Sequence, residues 1–416
     1  MSGRPLDGVA LAADPVPAAD ADAIPWRTVS LLSLGAFASS GMTRVLDPML
    51  PRLQQDFGVS LGQAAWSVTA FATAYGLMQL FYGPLADQRG KLRVMSVAAA
   101  LAAAAALACV LAKGSLVAFV VARVAAGAFC AASIPLAMAW IGDAIPYERR
   151  QPVLARFMIG QMVGMASGQM LGGLAAEQAF WAWPFLFYAA VFVLVAALLA
   201  KQREPASHRA VALPGHPGQA LVEVLRLPWA RVILFTAFAE ALCYLGAFTY
   251  LVTHLHREGG ASLAAAGLTM TAFSLGGVAF AFLARGWLMR LGESRLAVCG
   301  TLLASAAMAV VALDPRLSMA APANFISGVG FYMLHNTLQT NATQMMPARR
   351  GAAVALFATC FFLGQSAGVA ALGIVADHFG TRSVLLFGAF MLLPIGLWLG
   401  YHLNLRHGSA VTQSVP

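Results

Sequence analysis

A few polar and ionisable side chains stand inside long apolar stretches, and they are the residues here that could do chemistry. Glu240 sits in the run Val232-Ile-Leu-Phe-Thr-Ala-Phe-Ala-Glu240-Ala-Leu-Cys. In a helix beginning near Arg231 it stands ~14 Å along the axis. Burial of a carboxylate disfavours its charge, so a group in that position can load and release protons. Asp47 is a second acid within an apolar run. It follows Arg44 by three residues in Arg44-Val-Leu-Asp47-Pro48, so the two share a helix face and can pair; a salt bridge closing one mouth is the alternative reading. Arg123 lies ~12 Å into a run that starts near Lys113-Gly114. At that depth an arginine must be paired or wetted, either facing a central cavity or pinning neighbouring helices through backbone carbonyls. His335 and Asn336, followed by Gln339, and the pair Tyr75 and Gln79, one helical turn apart, complete a set expected to line a substrate cavity with Arg44 and Arg123. His335 also suits a satisfied structural role.

Other chemistries find no footing. Cys109, Cys130, Cys243, Cys299 and Cys360 each stand alone in apolar sequence, without metal-ligand or redox spacing. There is no phosphate-binding Gly-x-x-x-x-Gly-Lys-Ser/Thr loop and no His-Glu-x-x-His. Neither enzyme activity, cofactor nor metal is expected.

The elements that position these residues are written in the composition. The 416 residues are 60% hydrophobic and 10% charged, with mean hydropathy +0.75, too apolar for a water-soluble core. Stretches able to span a bilayer lie near 28–50, 63–84, 93–112, 115–141, 152–176, 181–200, 231–253, 262–284, 295–313, 318–341, 352–376 and 383–404. The fold class expected is an all-α membrane protein with twelve transmembrane helices in two pseudo-symmetric six-helix bundles. Its division is a disordered acidic tail over 1–26, a bundle over 27–200, a Pro-rich linker over 201–230, a bundle over 231–404 and a tail over 405–416.

The net charge of +9 reflects loop charge rather than nucleic-acid binding, because no basic run interleaves with aromatics. Lys and Arg crowd alternate loops (Arg89, Lys91 and Arg93; Arg149 and Arg150; Arg285, Arg290 and Arg295; Arg349 and Arg350), while the other set holds Arg52, Lys113, Arg257, Arg316 and Arg382. The bias places both termini in the cytoplasm. The halves echo one another. Pro146-Tyr-Glu-Arg149-Arg150 is answered by Pro347-Ala-Arg349-Arg350, and Gly168-Gln169-x-x-Gly172 by Gly364-Gln365-x-x-Gly368. Arg150 and Arg350 are 200 residues apart and Gly168 and Gly364 are 196 apart. Duplicated halves are a transporter architecture.

The loop Gly83-Pro-Leu-Ala-Asp87-Gln88-Arg89-Gly90-Lys91-Leu92-Arg93 resembles the signature of the major facilitator superfamily, Gly-x-x-x-Asp-Arg/Lys-x-Gly-Arg/Lys-Arg/Lys. Gly83, Asp87, Gly90 and Lys91 match; Gln88 and Leu92 depart. The resemblance implies a gating loop that latches the cytoplasmic face in the outward-open state, with Lys91 paired to Asp143 and Asp87 near the start of helix 11. Arg123 with Gly127 is similar to the second motif of that family. Gly164, Gly168, Gly172 and Gly173 form a smooth face for close helix contact, and Gly168-Gln169-x-x-Gly172-Gly173 resembles the antiporter motif Gly-Pro-x-x-Gly-Gly with Gln169 in place of proline. Asp56-Phe-Gly-Val-Ser60 looks like the multidrug and arabinose-efflux-permease-like branch, in which acids of the first helix serve substrate or protons, so the resemblance implies Asp47 as a second candidate for proton coupling beside Glu240.

The function expected is a proton-coupled antiporter that exports a small organic solute by alternating access. It would act as a monomer in the plasma membrane (the inner membrane of a Gram-negative cell), with substrate, protons and the lipid bilayer as its partners. A uniporter or importer, and a non-transporting membrane sensor, are the competing readings.

Overall fold

The structure, a computed structural model, describes residues 24–202 and 217–413. The tail expected over 1–26 lies outside the described residues except for its last three, as does the linker segment 203–216. Twelve helical rods account for the spans: α1 Trp26–Phe57, α2 Leu61–Arg89, α3 Lys91–Leu111, α4 Leu116–Ala144, α5 Tyr147–Ala176, α6 Trp183–Ala200, α7 Pro228–Arg257, α8 263–291, α9 293–313, α10 Leu317–Gln344, α11 350–379 and α12 381–413. Among the described residues there is no strand. The α8–α9 and α11–α12 pairs are nearly continuous, broken at Gly292 (φ +72°) and Gly380 (φ +78°). That left-handed backbone is open to glycine at little steric cost, so a single residue reverses the chain. The last helix runs to Gln413, into the segment expected as a polar tail. A further short helix, Pro217–Arg226, lies in the expected linker.

Helix starts carry their own chemistry. The Ser60 hydroxyl accepts from Gln63 N, and the Gln63 side chain accepts from Ser60 N, a capping box. Ser115 and Ser262 cap α4 and α8 in the same way from one side, and Pro184 and Pro228 occupy first turns, where no amide partner is required. Leu111, Val117, Phe282 and Phe379 are exposed, as apolar side chains are on a surface facing lipid.

Glycines set the distance between helices. A methyl group on Gly160, Gly164, Gly168 or Gly172 of α5 would meet the backbone oxygen of Ser33, Phe37, Gly41 or Val45 of α1 at 2.8, 2.2, 2.4 or 2.1 Å. In the second half Gly364 and Gly368 of α11 stand against Phe238 and Leu242 of α7, both oxygens within 2.2 Å of such a methyl. Gly173 and Gly373 fix the common register, since each meets the first turn of a helix in the other half, at Leu263 and at Gly62, so the equivalent contacts pair Gly164 with Gly364 and Gly168 with Gly368. The expected echo of Gly168-Gln169 with Gly364-Gln365 is displaced by one helical turn. The two Gly-Gln elements stand at different heights, because packing on the first helix of each half, not the local tetrapeptide, sets the register. Gly127 against Phe71 and Gly328 against Phe273 repeat the relation between α4–α2 and α10–α8.

The halves meet most firmly at one end. Asp377 at the end of α11 accepts from Ser60 Oγ (2.6 Å) and from Gly62 N (3.1 and 3.2 Å) at the start of α2. Glu177 after α5 accepts from Ala264 N (2.9 Å) at the start of α8. Each half thus sends a carboxylate onto a helix N-terminus of the other, where unpaired N–H groups and the helix dipole favour negative charge. Arg257 donates to Gln54 at the same end. At mid-depth Thr73 and Ser366 share a hydrogen bond of 2.5 Å, and Thr359 donates to Gly76 O.

Candidate functional site

Beneath the closed end lies a cavity of about 170 Å³ between the two halves. Its wall comes from α1, α2, α4 and α5 on one side and α7, α8, α10 and α11 on the other; α3, α6, α9 and α12 contribute nothing to it. Two of its residues, Met138 and Gln339, are exposed and lie near the opposite end of their helices, so the cavity opens away from Asp377 and Glu177. The two faces differ. Met138, Met158, Met162 and Met165 form much of the first-half wall, and Phe273, Phe331, Phe361 and Phe362 much of the second. Methionine thioethers are flexible and polarisable, so one wall is adaptable and the other rigid and aromatic.

Charge enters this apolar space through paired groups. Arg44 lines the cavity and donates to Asp47 at 3.3 Å. Asp47 is 0% exposed and its Oδ1 has no partner. Across the cavity His335 lines the wall, and its Nδ1 lies 3.1 Å from Glu240 Oε2. Glu240 is 0% exposed and its Oε1 is unpartnered. The imidazole stacks on Phe331 (5.2 Å, 9° between planes) and abuts Phe361 (4.5 Å). In both pairs the basic side chain faces the cavity and the acid stands behind it. Immediately after Glu240, residues Ala241–Leu245 form a π-helical segment; such bulges recur at functional sites because one wide turn re-aims the side chains beside it.

The remaining sequence candidates divide. Tyr75 lines the cavity and packs on Phe362 at 4.3 Å between ring centres, bridging the halves. Gln339 lines it at the open end. Arg123, expected on the cavity wall, is 0% exposed and away from it. It donates to Met42 O (3.0 Å) and Ser67 O (3.3 Å) and lies 4.2 Å from the Phe71 ring centre. The long side chain reaches two neighbouring helices before it reaches open space, so it braces α1, α2 and α4. Gln79 likewise turns to the backbone of α4, donating to Ala131 O at 3.5 Å. Asn336 lines a separate, smaller pocket with Arg285, Glu293 and Thr340. One residue beyond His335 on a helix is rotated by about 100°, which carries it off the cavity face.

At the loop, Lys91 pairs with Asp143 at 2.6 Å, and Gly90 holds φ +89° between α2 and α3. Asp87 is exposed, with no hydrogen bond or ion pair among the described residues. A methyl on Gly83 would meet nothing within 4 Å. Gly173 packs on the other half, where a methyl would meet Leu263 O at 2.7 Å. No cluster of three or more potential metal ligands occurs among the described residues.

Sequence reasoning did not select Gln161, Gln365 or the methionine wall. Gln365 was visible in its Gly-Gln element, but only the fold turns it into the cavity. Asp377 and Glu177 had no sequence signal, because their partners are backbone amides in the other half.

The sequence model of the Major Facilitator Superfamily matches this chain twice, over residues 32–265 and 252–412. The MFS-type transporter YceJ of Bacillus subtilis (strain 168) is 26% identical over 355 residues, covering 81% of this chain and 87% of that protein. The lincomycin resistance protein of Streptomyces lincolnensis is 32% identical over 193 residues, covering 46% and 40%. Among solved structures, a bacterial homologue of the human lysosomal transporter Spinster, inward-facing and unoccupied, superposes with TM-score 0.72 at 18% identity, covering 92% of this chain and 98% of that one. A D-xylose–proton symporter superposes with TM-score 0.72 at 14% identity, covering 90% and 96%.

Proposed function

The chain belongs to the Major Facilitator Superfamily, and from that premise we propose that it is a proton-coupled antiporter exporting a small organic solute, with Glu240 and His335 as the proton-carrying pair. The observation that carries this reading is the 3.1 Å contact between them, with His335 on the cavity wall and Glu240 sealed behind it. A carboxylate and an imidazole at that distance can hold a proton between them. The pair is neutral overall with one proton between them. A second proton leaves it cationic, and that charge is costly in a dry wall unless an anion or water reaches it. Protonation at one face of the membrane and release at the other would then accompany solute movement. Arg44 and Asp47 are the matching pair in the first half, and Asp47 is a second candidate for coupling.

Loop charge supports both termini in the cytoplasm. On that orientation the end closed by Asp377 and Glu177 is the outer one, and the cavity opens inward. The exposed Asp87 and open Gly83 suit such a state, with the Lys91–Asp143 pair of the expected latch still closed within the first half. We further assign a plasma-membrane location, the inner membrane in a Gram-negative cell, and a monomer as the working unit. Rocking of the two halves about the cavity would expose it alternately.

Export is supported by the printed functions of relatives, which include a lincomycin resistance protein and the multidrug export protein EmrB of Haemophilus influenzae. A uniporter or importer is the second reading, favoured by Gln169 in place of the antiporter proline.

The test begins with a resistance and metabolite-efflux screen in a deletion strain to supply a substrate. Proteoliposomes with an imposed pH gradient then report coupling. E240Q is expected to lower uphill transport by at least about tenfold, a little over 1 kcal/mol of coupling, while leaving substrate exchange measurable. Uphill transport that survives E240Q intact would remove Glu240 from the mechanism.

A further inference from the structure

The wall of the cavity carries more information than its volume. Its charged residues are arranged in one sense: Arg44 and His335 line it, while their acids Asp47 and Glu240 are absent from its lining and fully buried. A solute entering from the open end therefore meets the basic member of each pair first. The hydrogen bond from the Arg44 guanidinium to Asp47 uses a single nitrogen, at 3.3 Å, so the rest of the fork is available to an acceptor. A guanidinium fork matches a carboxylate with two parallel hydrogen bonds.

Gln365 supplies the second observation. It lines the same cavity at 1% exposure, and neither its Oε1 nor its Nε2 has a partner. Buried amide atoms are rarely left unpaired, so a polar ligand or its water is the missing partner. The amide nitrogen donates to an anionic oxygen, and the amide oxygen accepts from a neighbouring hydroxyl or water.

Aromatic walls also attract cations, which points the other way. Here, however, Phe331 and Phe361 already hold the His335 ring against them, and an imidazolium there would take up that attraction itself. Arg44 adds direct repulsion of a second cation. The methionine wall facing Phe273 and Phe362 then suits a flat, polarisable apolar body.

Resting on the transport reading above, we propose that the cavity takes an organic anion: a carboxylate, bound by Arg44 and Gln365, on an aromatic or similarly polarisable body held between the methionine and phenylalanine walls.

The test uses the full chain in lipid nanodiscs and three matched probes: phenylpropionate, phenylpropionamide and phenylpropylamine. Binding is read by calorimetry. The acid is expected to bind at least about tenfold more tightly than the amine, a difference of about 1.4 kcal/mol, with the amide between them. Q365L, which leaves both ion pairs intact, is expected to weaken the acid several-fold and leave the amine unchanged. The double variant R44Q/D47N, which avoids stranding a buried charge, is expected to abolish the preference. An amine or amide that binds as tightly as the acid overturns the assignment, and so does failure of all three probes to bind. Transport is scored separately in proteoliposomes. An acid that binds but is never moved uphill by a pH gradient refutes the coupled-transport reading and leaves the anion assignment standing, whereas uphill movement of an amine does the reverse.

Discussion

At the scale of single residues, burial decides which polar side chains serve the cavity and which serve the frame. Arg123 donates to Met42 O and Ser67 O, two carbonyls on different helices. R123L would remove two hydrogen bonds from a charged donor, worth about 1.5–3 kcal/mol each. The expected outcome is a lower melting temperature and reduced yield of monodisperse protein in detergent. R123K should not restore stability, because one ammonium cannot reproduce a fork reaching two helices. The sequence identified Arg123, Glu240 and Arg44 by the same sign, a polar group in an apolar run, and could not separate them. The periodicity of a spanning helix places a residue by depth, whereas its direction around the axis follows from neighbours distant in the chain. Glu240 and His335 were both legible as candidates, but their contact joins residues 95 apart in sequence and required the fold. Asn336 shows the same limit in reverse, since one step along α10 moved it from the cavity to another pocket.

At the scale of helices, spacing by glycine is the strongest determinant. G164A and G168A each place a methyl 2.2–2.4 Å from a backbone oxygen of α1, and a main-chain carbonyl cannot step aside as a side chain can. Forced separation of α5 from α1 should destabilise the first half by about 1–3 kcal/mol, seen as earlier thermal unfolding. G364A and G368A should do the same to α11 on α7. The twelve spans were readable because each requires a long apolar run. The slipped register was not, since Gly-Gln-x-x-Gly reads identically at either height. The loop glycine at 90 was readable from the motif itself, and the Lys91–Asp143 pair only through the family resemblance, since its partners lie on different helices.

At the scale of the whole molecule, the balance between the two mouths of the cavity rests in part on the carboxylates of the closed end. Asp377 and Glu177 are surface-accessible bonds to helix starts, each contributing about 0.5–1 kcal/mol. D377N together with E177Q should therefore shift the resting population toward the opposite opening by about tenfold, measured as accelerated hydrogen exchange at the Gly62 and Ala264 amides. Unchanged exchange would show that apolar contacts alone hold this end shut. The pairing has a consequence for symmetry. Gly62 N answers Asp377 as Ala264 N answers Glu177, each two residues after a capping serine, so the seal approaches the arrangement two identical subunits make about a two-fold axis, with the Ser60–Asp377 bond as the added contact on one side. A six-helix chain carrying one serine-capped helix start and one acid at the end of its fifth helix could close this mouth with a second copy of itself. The internal seal of the present protein thus has the form of a homodimer interface held within a single chain.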